Sequence, residues 1–168
     1  MRALIISSDQ FEDSELSEPL RQLQAKGVVV ELVAPQKGSI TGKHGHKVEA
    51  GLTLDEVQPE IYDLLVLPGG KAPARLQKNA QAVAIARYFL EAGKPVAAIC
   101  HGLQVLIPSS LLAGRTATCY RGMAPELKSA GVDYRDREVV VDGNLITSRQ
   151  PADLPAFMRA IFEALGLD

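Results

Sequence analysis

The chain lacks the features that define several large classes of protein. Its net charge is -2 over 168 residues, so there is no basic excess to neutralise phosphates, and we expect no nucleic-acid partner. Two cysteines are too few for a disulfide framework. No run approaches the roughly 20 apolar residues of a membrane-spanning helix, and the N-terminal segment lacks a signal peptide's apolar core. These absences predict a cytoplasmic protein with free thiols and no membrane partner.

Signatures of nucleotide and metal cofactors are also missing. The chain has neither a G-x-x-x-x-G-K-[ST] loop nor a Rossmann glycine fingerprint, so nucleotides are not expected. His44 and His46 are near neighbours, but Lys43 and Lys47 flank them and oppose a cation. No cysteine or further histidine lies nearby in sequence. We therefore predict no metal and no cofactor, and interpret this segment as a hairpin at a subunit interface or at the rim of a cleft.

Short apolar runs alternate with amphipathic segments along the whole chain. The length, with 46% hydrophobic and 23% charged residues, predicts one soluble domain over residues 1–168. The patterns predict strands at 3–6, 28–33, 64–67 and 96–99, helices at 16–26, 80–92 and 156–165, a capping box at 53–56 and a hairpin joining 139–141 to 145–147. Strands without polar alternation are buried on both faces, which indicates an α/β fold with a mostly parallel sheet between helix layers.

In such a sheet, functional sites form at the carboxyl ends of the strands. Residues 7–13, 68–71 and 100–104 all follow predicted strands, so we expect them to meet. The strongest pattern runs from Ala98 through Cys100 to Gly102, where an apolar strand leads directly into a cysteine flanked two positions away by small residues. This spacing is typical of a nucleophile elbow. A helix beginning at 101–107 would favour the thiolate. The alternative is a buried cysteine that only packs.

Two further segments could contribute to such chemistry. Pro68-Gly69-Gly70 ends a strand and leaves backbone N–H groups that could face an oxyanion, although the tripeptide also suits an ordinary turn. Glu12 lies in the loop after the first strand, where its carboxyl could exchange protons with a thiol or could cap a helix. Tyr120 could line the cleft or pack in the core. Cys119 could resolve an oxidised Cys100, or be a small buried apolar residue.

The chain resembles the DJ-1/PfpI family, and within it the PfpI-like intracellular protease branch. The matching pieces run in order along nearly the whole sequence: FED at 11–13, ITGKHG at 40–45, LPGG at 67–70, AICHG at 98–102, VVVDGN at 139–144 and SRQPAD at 148–153. The resemblance implies a flavodoxin-like three-layer sandwich of the class I glutamine amidotransferase type. It also implies a homo-oligomer, dimer or hexamer, with the site near an interface.

The resemblance further implies roles for individual residues. Cys100 is the expected nucleophile, with Glu12 beside its sulfur and His101 as its partner. The resemblance also implies that the backbone N–H of Gly70 contributes to an oxyanion hole. Apart from the resemblance, we predict that the N–H of His101 belongs to the same hole and that Gly69 and Tyr120 contact substrate. We also predict a depressed pKa for Cys100, since a helix N-terminus, His101 and the glycine N–H groups all favour negative charge.

At two positions the chain departs from the family pattern. Ala74 stands where PfpI-like proteins usually carry a glutamate that reaches a neighbouring subunit's histidine, and Leu103 stands in place of the usual proline. Peptide hydrolysis needs a well-held histidine to protonate the leaving amine, whereas carbonyl chemistry needs a thiolate, a carboxyl group and an oxyanion site. We therefore expect a stress-related enzyme acting on a small carbonyl compound or its adducts, of the glyoxalase or deglycase type. A cysteine peptidase with a peptide substrate and a redox-sensing chaperone remain alternatives.

Overall fold

A computed structural model describes all residues 1–168. Its centre is a seven-stranded sheet in the order β10-β11-β7-β6-β1-β2-β5, in which only the β10–β11 pair is antiparallel. The strands of this sheet are β1 (Arg2–Ile6), β2 (Val29–Ala34), β5 (Leu52–Thr53), β6 (Leu64–Leu67), β7 (Val96–Ile99), β10 (Val140–Asp142) and β11 (Leu145–Ser148). Two small pairs lie outside it: β3 (Gly38–Thr41) with β4 (Lys47–Ala50), and β8 (Thr116–Ala117) with β9 (Asp133–Tyr134).

Helices cover both faces of the sheet. They are α1 (Asp13–Ala25), α2 (Ala72–Leu76), α3 (Ala80–Glu91), α4 (Ala124–Ser129) and α5 (Leu154–Leu165). The crossover from β1 to β2 runs toward one edge of the sheet and that from β6 to β7 toward the other. Because parallel crossovers are right-handed, α1 and α3 lie on opposite faces. The predicted three-layer sandwich with a mostly parallel sheet is confirmed, and no helix in it has the length and apolar character needed to cross a bilayer.

Most predicted elements are present, with shifted ends. The helix predicted from 16 begins at Asp13, and the last helix begins at Leu154 after a 3₁₀ turn at Pro151–Asp153. The capping box of Thr53 and Glu56 is present, but it opens only the three-residue 3₁₀ helix Leu54–Glu56. The segment after Cys100 also differs from prediction, because Gly102–Ser109 is a 3₁₀ helix with His101 at its N-cap.

The first turn of this 3₁₀ helix lies against the end of β6. A Cβ placed on Gly102 would lie 2.0 Å from the carbonyl oxygen of Leu67 and 2.9 Å from its carbonyl carbon. Backbone atoms cannot move aside as a flexible side chain can, so only glycine fits there. This close approach of β6 to the segment after β7 brings Gly69, Gly70 and Cys100 together.

We predict that Gly102→Ala destabilises the protein by about 1–3 kcal/mol, the usual cost of overpacking a tight contact. Gly51→Ala is the matched control, since a Cβ there meets nothing within 4 Å; it should be neutral or slightly stabilising. Urea denaturation of both variants measures the difference. Equal midpoints for the two variants would refute the packing argument.

Candidate active site

Cys100 occupies a strained position at the carboxyl end of β7. Its φ is 62°, and only Gln10 and Ser110 share a positive φ among the non-glycine residues. Its N–H donates to the carbonyl of Ser148 at 3.0 Å, and its carbonyl accepts from the N–H of Tyr120 at 3.1 Å. These bonds hold a conformation that costs on the order of 1–3 kcal/mol for a residue with a Cβ. The predicted elbow geometry is present, and 9% of Cys100 is exposed.

The imidazole of His101 lies directly beside the sulfur. The distance from Cys100 Sγ to His101 Nδ1 is 3.3 Å. The face of the ring stacks on Tyr120, with centroids 4.9 Å apart and 29° between the planes. Tyr120 is itself 44% exposed, so it is a wall of the cleft and not a core residue. The neighbouring Cys119 is fully buried, and its thiol donates to the carbonyl of Tyr120 at 3.1 Å.

The structure corrects the prediction that Glu12 lies beside the sulfur. Glu12 is the N-cap of α1, and its two carboxylate oxygens face Lys43 Nζ at 3.6 Å and His44 Nε2 at 3.3 Å. The carboxyl that interacts with Cys100 belongs to Glu15. Glu15 is fully buried, its Oε1 accepts the N–H of Gly69 at 2.9 Å, and its Oε2 has no hydrogen-bond partner within the chain.

A helical pattern in the sequence could have identified Glu15. It is the third residue of α1, and side chains of the first helical turn lean back toward the N-terminus, here toward the strand ends. Glu15 also shares the buried stripe of α1 with Pro19 and Leu23, at a spacing of four residues. A carboxyl group in the apolar stripe of a helix is unusual, so this spacing would have indicated a buried acid at Glu15.

Gly69 and Gly70, the two glycines after β6, make different contacts. Gly69 donates its N–H to Glu15 and does not line the cleft, which corrects its predicted contact with substrate. Gly70, at φ 85°, directs its N–H toward Cys100, as does His101. A bridge between Phe11 and Gly70 joins the loop after β1 to the loop after β6. The N–H groups predicted to form an oxyanion hole therefore converge beside the sulfur.

Burial dominates the electrostatics of the site. Burial raises the pKa of Glu15 to about 8, and the charge of Glu12 adds to the rise while the N–H of Gly69 opposes it. Burial likewise raises the pKa of Cys100 to about 12, and the charge of Glu15 adds to it. The N–H groups of Gly70 and His101 lower the pKa of Cys100, but their effect is smaller than that of burial. The predicted depressed pKa of Cys100 is therefore wrong for the free protein.

The protonation of Glu15 decides how these groups act together at neutral pH. With its pKa at about 8, Glu15 is mostly protonated at pH 7 and adds no negative charge beside the sulfur. The pKa of His101 is lowered by burial and by the charge of Lys43, so its imidazole is mostly neutral. The resting site thus contains a thiol, a carboxylic acid and a neutral imidazole. A proton donor and a proton acceptor thus flank the thiol of Cys100.

These groups line one cleft of about 740 Å³. Its rim carries Lys43 and Lys71, and Ala74 lies on the wall where an acid was expected from the family pattern. No group of three or more histidine, cysteine or carboxylate side chains is arranged to hold a metal ion. The cleft is large enough for a small carbonyl compound with part of the chain to which it is attached.

The chain is an α/β protein with a cysteine on an elbow at the carboxyl edge of its parallel sheet. Residues 1–164 match the DJ-1/PfpI family, and the chain belongs to that family. It is 50% identical to "Deglycase PfpI" of Pyrococcus furiosus over 165 residues, covering 98% of this chain and 99% of the relative. It is 42% identical to "Putative cysteine protease YraA" of Bacillus subtilis, covering 97% and 95%. It is 41% identical to "Protein/nucleic acid deglycase 2" of Escherichia coli, covering 96% of each.

Solved structures show the same fold. The DJ-1/ThiJ/PfpI-like part of a two-domain protein from Anabaena variabilis, which also contains a ferritin-like domain, aligns with a TM-score of 0.97 at 38% identity, covering 99% of this chain and 50% of that one. DJ-1 of Schizosaccharomyces pombe aligns with a TM-score of 0.88 at 20% identity, covering 97% and 90%. The flavodoxin-like architecture is thus confirmed, and the relatives' names support an enzyme of the DJ-1/PfpI family.

We predict that Glu15→Gln makes Cys100 more reactive toward iodoacetamide between pH 8 and 10. In the wild type, ionised Glu15 raises the pKa of the thiol in this range, and glutamine removes that charge. Glu12→Gln should change the alkylation rate less, because Glu12 contacts Lys43 and His44. Cys100→Ser measures the background from Cys119. Alkylation that slows in Glu15→Gln across this range would contradict the electrostatic account.

A second consequence of the buried acid is a pH-dependent stability. Glu15 has a pKa of about 8 when folded and 4.5 when unperturbed, so the folded state binds the extra proton between these values. The contribution of Glu15 to stability therefore falls from pH 4.5 to pH 8, by up to about 1.4 kcal/mol per pH unit, and is constant above. Urea denaturation of wild type and Glu15→Gln from pH 5 to pH 9 measures it. The stability difference should move in favour of the variant as pH rises, and a constant difference would contradict the raised pKa.

Proposed function

We propose that the protein is a cysteine-dependent enzyme that converts reactive carbonyls, or the early adducts they form with amines and thiols, into hydroxy acids. The observation that supports this most directly is the placement of Cys100 at its strained elbow between a buried acid and an imidazole. Glu15, with its pKa of about 8, can donate a proton at neutral pH. His101 Nδ1, 3.3 Å from the sulfur, can accept one. The deglycase names of relatives at 50% and 41% identity agree with this proposal.

The first step joins the sulfur to the aldehyde carbon. The thiol proton passes to His101, a carbon–sulfur bond forms, and the carbonyl oxygen takes the proton of Glu15 while the N–H groups of Gly70 and His101 stabilise the developing negative charge. The product is a hemithioacetal. The thiol of Cys100 has a high pKa before substrate binds, so little thiolate is present. Proton transfer to His101 must therefore accompany formation of the carbon–sulfur bond.

The later steps return every group to its starting state. The carboxylate of Glu15 takes the proton from the hemithioacetal carbon and delivers it to the neighbouring carbonyl oxygen, which gives an ene-diol. The ene-diol then loses the proton of the former hemithioacetal hydroxyl and gains one on its second carbon, both through Glu15, which yields a 2-hydroxyacyl thioester and leaves Glu15 ionised. Water then attacks the thioester and loses a proton to Glu15, while His101 returns its proton to the departing sulfur. Overall, one dicarbonyl and one water give one hydroxy acid. A glycated amine or thiol would be released from its adduct when the carbonyl compound is consumed.

A peptidase is the second candidate, favoured by the Cys100–His101 contact and by the protease name of the Bacillus subtilis relative. Ala74 supplies no carboxyl to hold His101 for protonation of an amine, so a peptidase would need an acid from another position in the protein. The redox-sensing chaperone is less well supported. A thiol that is 91% buried by area, with a raised pKa, lacks the exposed thiolate on which oxidation depends.

One panel of assays tests the proposal. Wild type, Cys100→Ser and Glu15→Gln are compared for loss of methylglyoxal, loss of an early-glycated peptide with free methylglyoxal trapped, and cleavage of unfolded casein. We expect carbonyl activity that is abolished by Cys100→Ser and lowered about 100-fold or more by Glu15→Gln, the size of a lost proton transfer. Casein cleavage that depends on Cys100, without carbonyl turnover, would establish the peptidase instead.

A further inference from the structure

His101 lies among charged and polar groups, but position 74, where the family pattern carries a glutamate, holds Ala74 and supplies no carboxyl group. Its Nδ1 contacts the sulfur of Cys100 and its ring stacks on Tyr120. An imidazole that takes a proton from a thiol becomes a cation, and a nearby carboxylate stabilises that cation and fixes the ring's tautomer. A carboxylate elsewhere in the same chain could therefore perform the task that position 74 cannot.

A residue of the 3₁₀ helix after Cys100 connects His101 to such a carboxylate. In a 3₁₀ helix, side chains three residues apart are eclipsed, so Gln104 lies on the same side of the helix as His101. The backbone confirms this register, because the N–H of Gln104 donates to the carbonyl of His101 at 3.0 Å. Both residues line the cleft.

Gln104 in turn holds Glu126. Its Nε2 donates to Glu126 Oε2 at 3.1 Å, and only 8% of Gln104 is exposed, so the amide has little freedom to move. Glu126 lies in the first turn of α4, and its own surface is exposed. A buried amide thus anchors an exposed carboxylate on the side of the cleft where His101 lies. The amide orientation is fixed, because its oxygen would be repelled by the carboxylate.

The charges around His101 agree with this geometry. Lys43, from the turn between β3 and β4, lowers the pKa of His101 in addition to the larger effect of burial, and Glu126 raises it. Glu12 is directed to Lys43 and His44, and Glu15 acts on Cys100 from α1. Lys71 lies at the rim of the cleft. Glu126 is the one carboxylate that opposes burial and Lys43 at this imidazole.

We propose that Glu126, anchored by Gln104, is the acidic positioning residue of His101 and replaces, within one subunit, the acid missing at position 74. The proposal rests on the proposed function only in that His101 serves Cys100. Glu126 touches neither sulfur nor substrate, and it acts by stabilising the imidazolium that forms when the thiol proton is transferred. The complete set is then Cys100, His101 and Glu126.

The direct test is an NMR titration of the three histidines in wild type and Glu126→Gln. The pKa of His101 should fall in the variant, because its stabilising charge is gone, while His44 and His46 serve as internal references and should not move. The acid limb of the pH–rate profile for Cys100-dependent carbonyl loss should shift to lower pH in parallel. At pH 7 kcat should fall roughly tenfold, less than the full contribution of an acid–base group, with little change in KM.

A matched control separates this effect from the general loss of a carboxylate. Glu18 accepts a bond of the same kind on α1, from Gln22 Nε2 at 3.1 Å, and it has no effect on the pKa of His101. Glu18→Gln should leave the titration of His101 unchanged. Gln104→Met removes the anchor but keeps the carboxylate, so it should move the pKa of His101 in the same direction by a smaller amount.

The outcomes distinguish this proposal from the proposed function. A folded Glu126→Gln protein in which His101 titrates as in wild type overturns the role of Glu126, whatever the activity. If that variant does not fold, an unmoved His101 in Gln104→Met overturns it equally. Carbonyl turnover that survives Cys100→Ser refutes the proposed function, but the titration of His101 still reports on Glu126 by itself.

Discussion

The buried carboxyl of Glu15 is the group on which the rest of the site depends. It accepts the N–H of Gly69, lies beside Cys100 and is fully buried in the first turn of α1. These contacts join three segments: the helix after β1, the loop after β6 and the elbow after β7. Burying an ionised carboxylate there would be costly, so the protein keeps the acid protonated, and that protonation makes it a proton donor at neutral pH.

The strain at Cys100 and the tight approach at Gly102 serve the same arrangement. The positive φ of Cys100 lifts its side chain out of the sheet and into the cleft, while the missing side chains of Gly69 and Gly102 let β6 and the 3₁₀ helix come close. A Cβ at Gly69 would lie 2.7 Å from Cys100 Cβ. The elbow therefore requires glycine at positions 69 and 102 and a strained backbone at Cys100. The hydrogen bonds of Cys100 to Ser148 and Tyr120 hold that strained conformation.

The site is built mainly from neutral groups at rest. A thiol with a raised pKa, a protonated acid and a neutral imidazole are all favoured by low dielectric. Such a site avoids the cost of buried charge, and in the proposed mechanism charge develops only when a substrate arrives and protons move. The lysines at the rim, one of them paired with Glu12, keep the charged side chains at the edge of the cleft. This division explains why burial, and not the nearby N–H groups, sets the pKa of the sulfur.

The sequence alone determined the parallel sheet, the layers and the elbow, because apolar runs, turn residues and small neighbours are local signals. It placed Cys100, His101 and Gly70 correctly at one edge, since the carboxyl ends of adjacent strands must meet there. Through the resemblance it assigned Glu12 to the sulfur and did not identify Glu15, because which side chain reaches the sulfur depends on where α1 begins and which way its first turn faces. Nor did it indicate Glu126, the residue proposed to position His101, which lies 26 residues beyond Cys100 in the numbering and is bound by Gln104 of the cleft. The pKa of Cys100 was decided only by tertiary structure, since the extent of burial depends on how the helices and loops pack around the sulfur and cannot be read from neighbours in sequence.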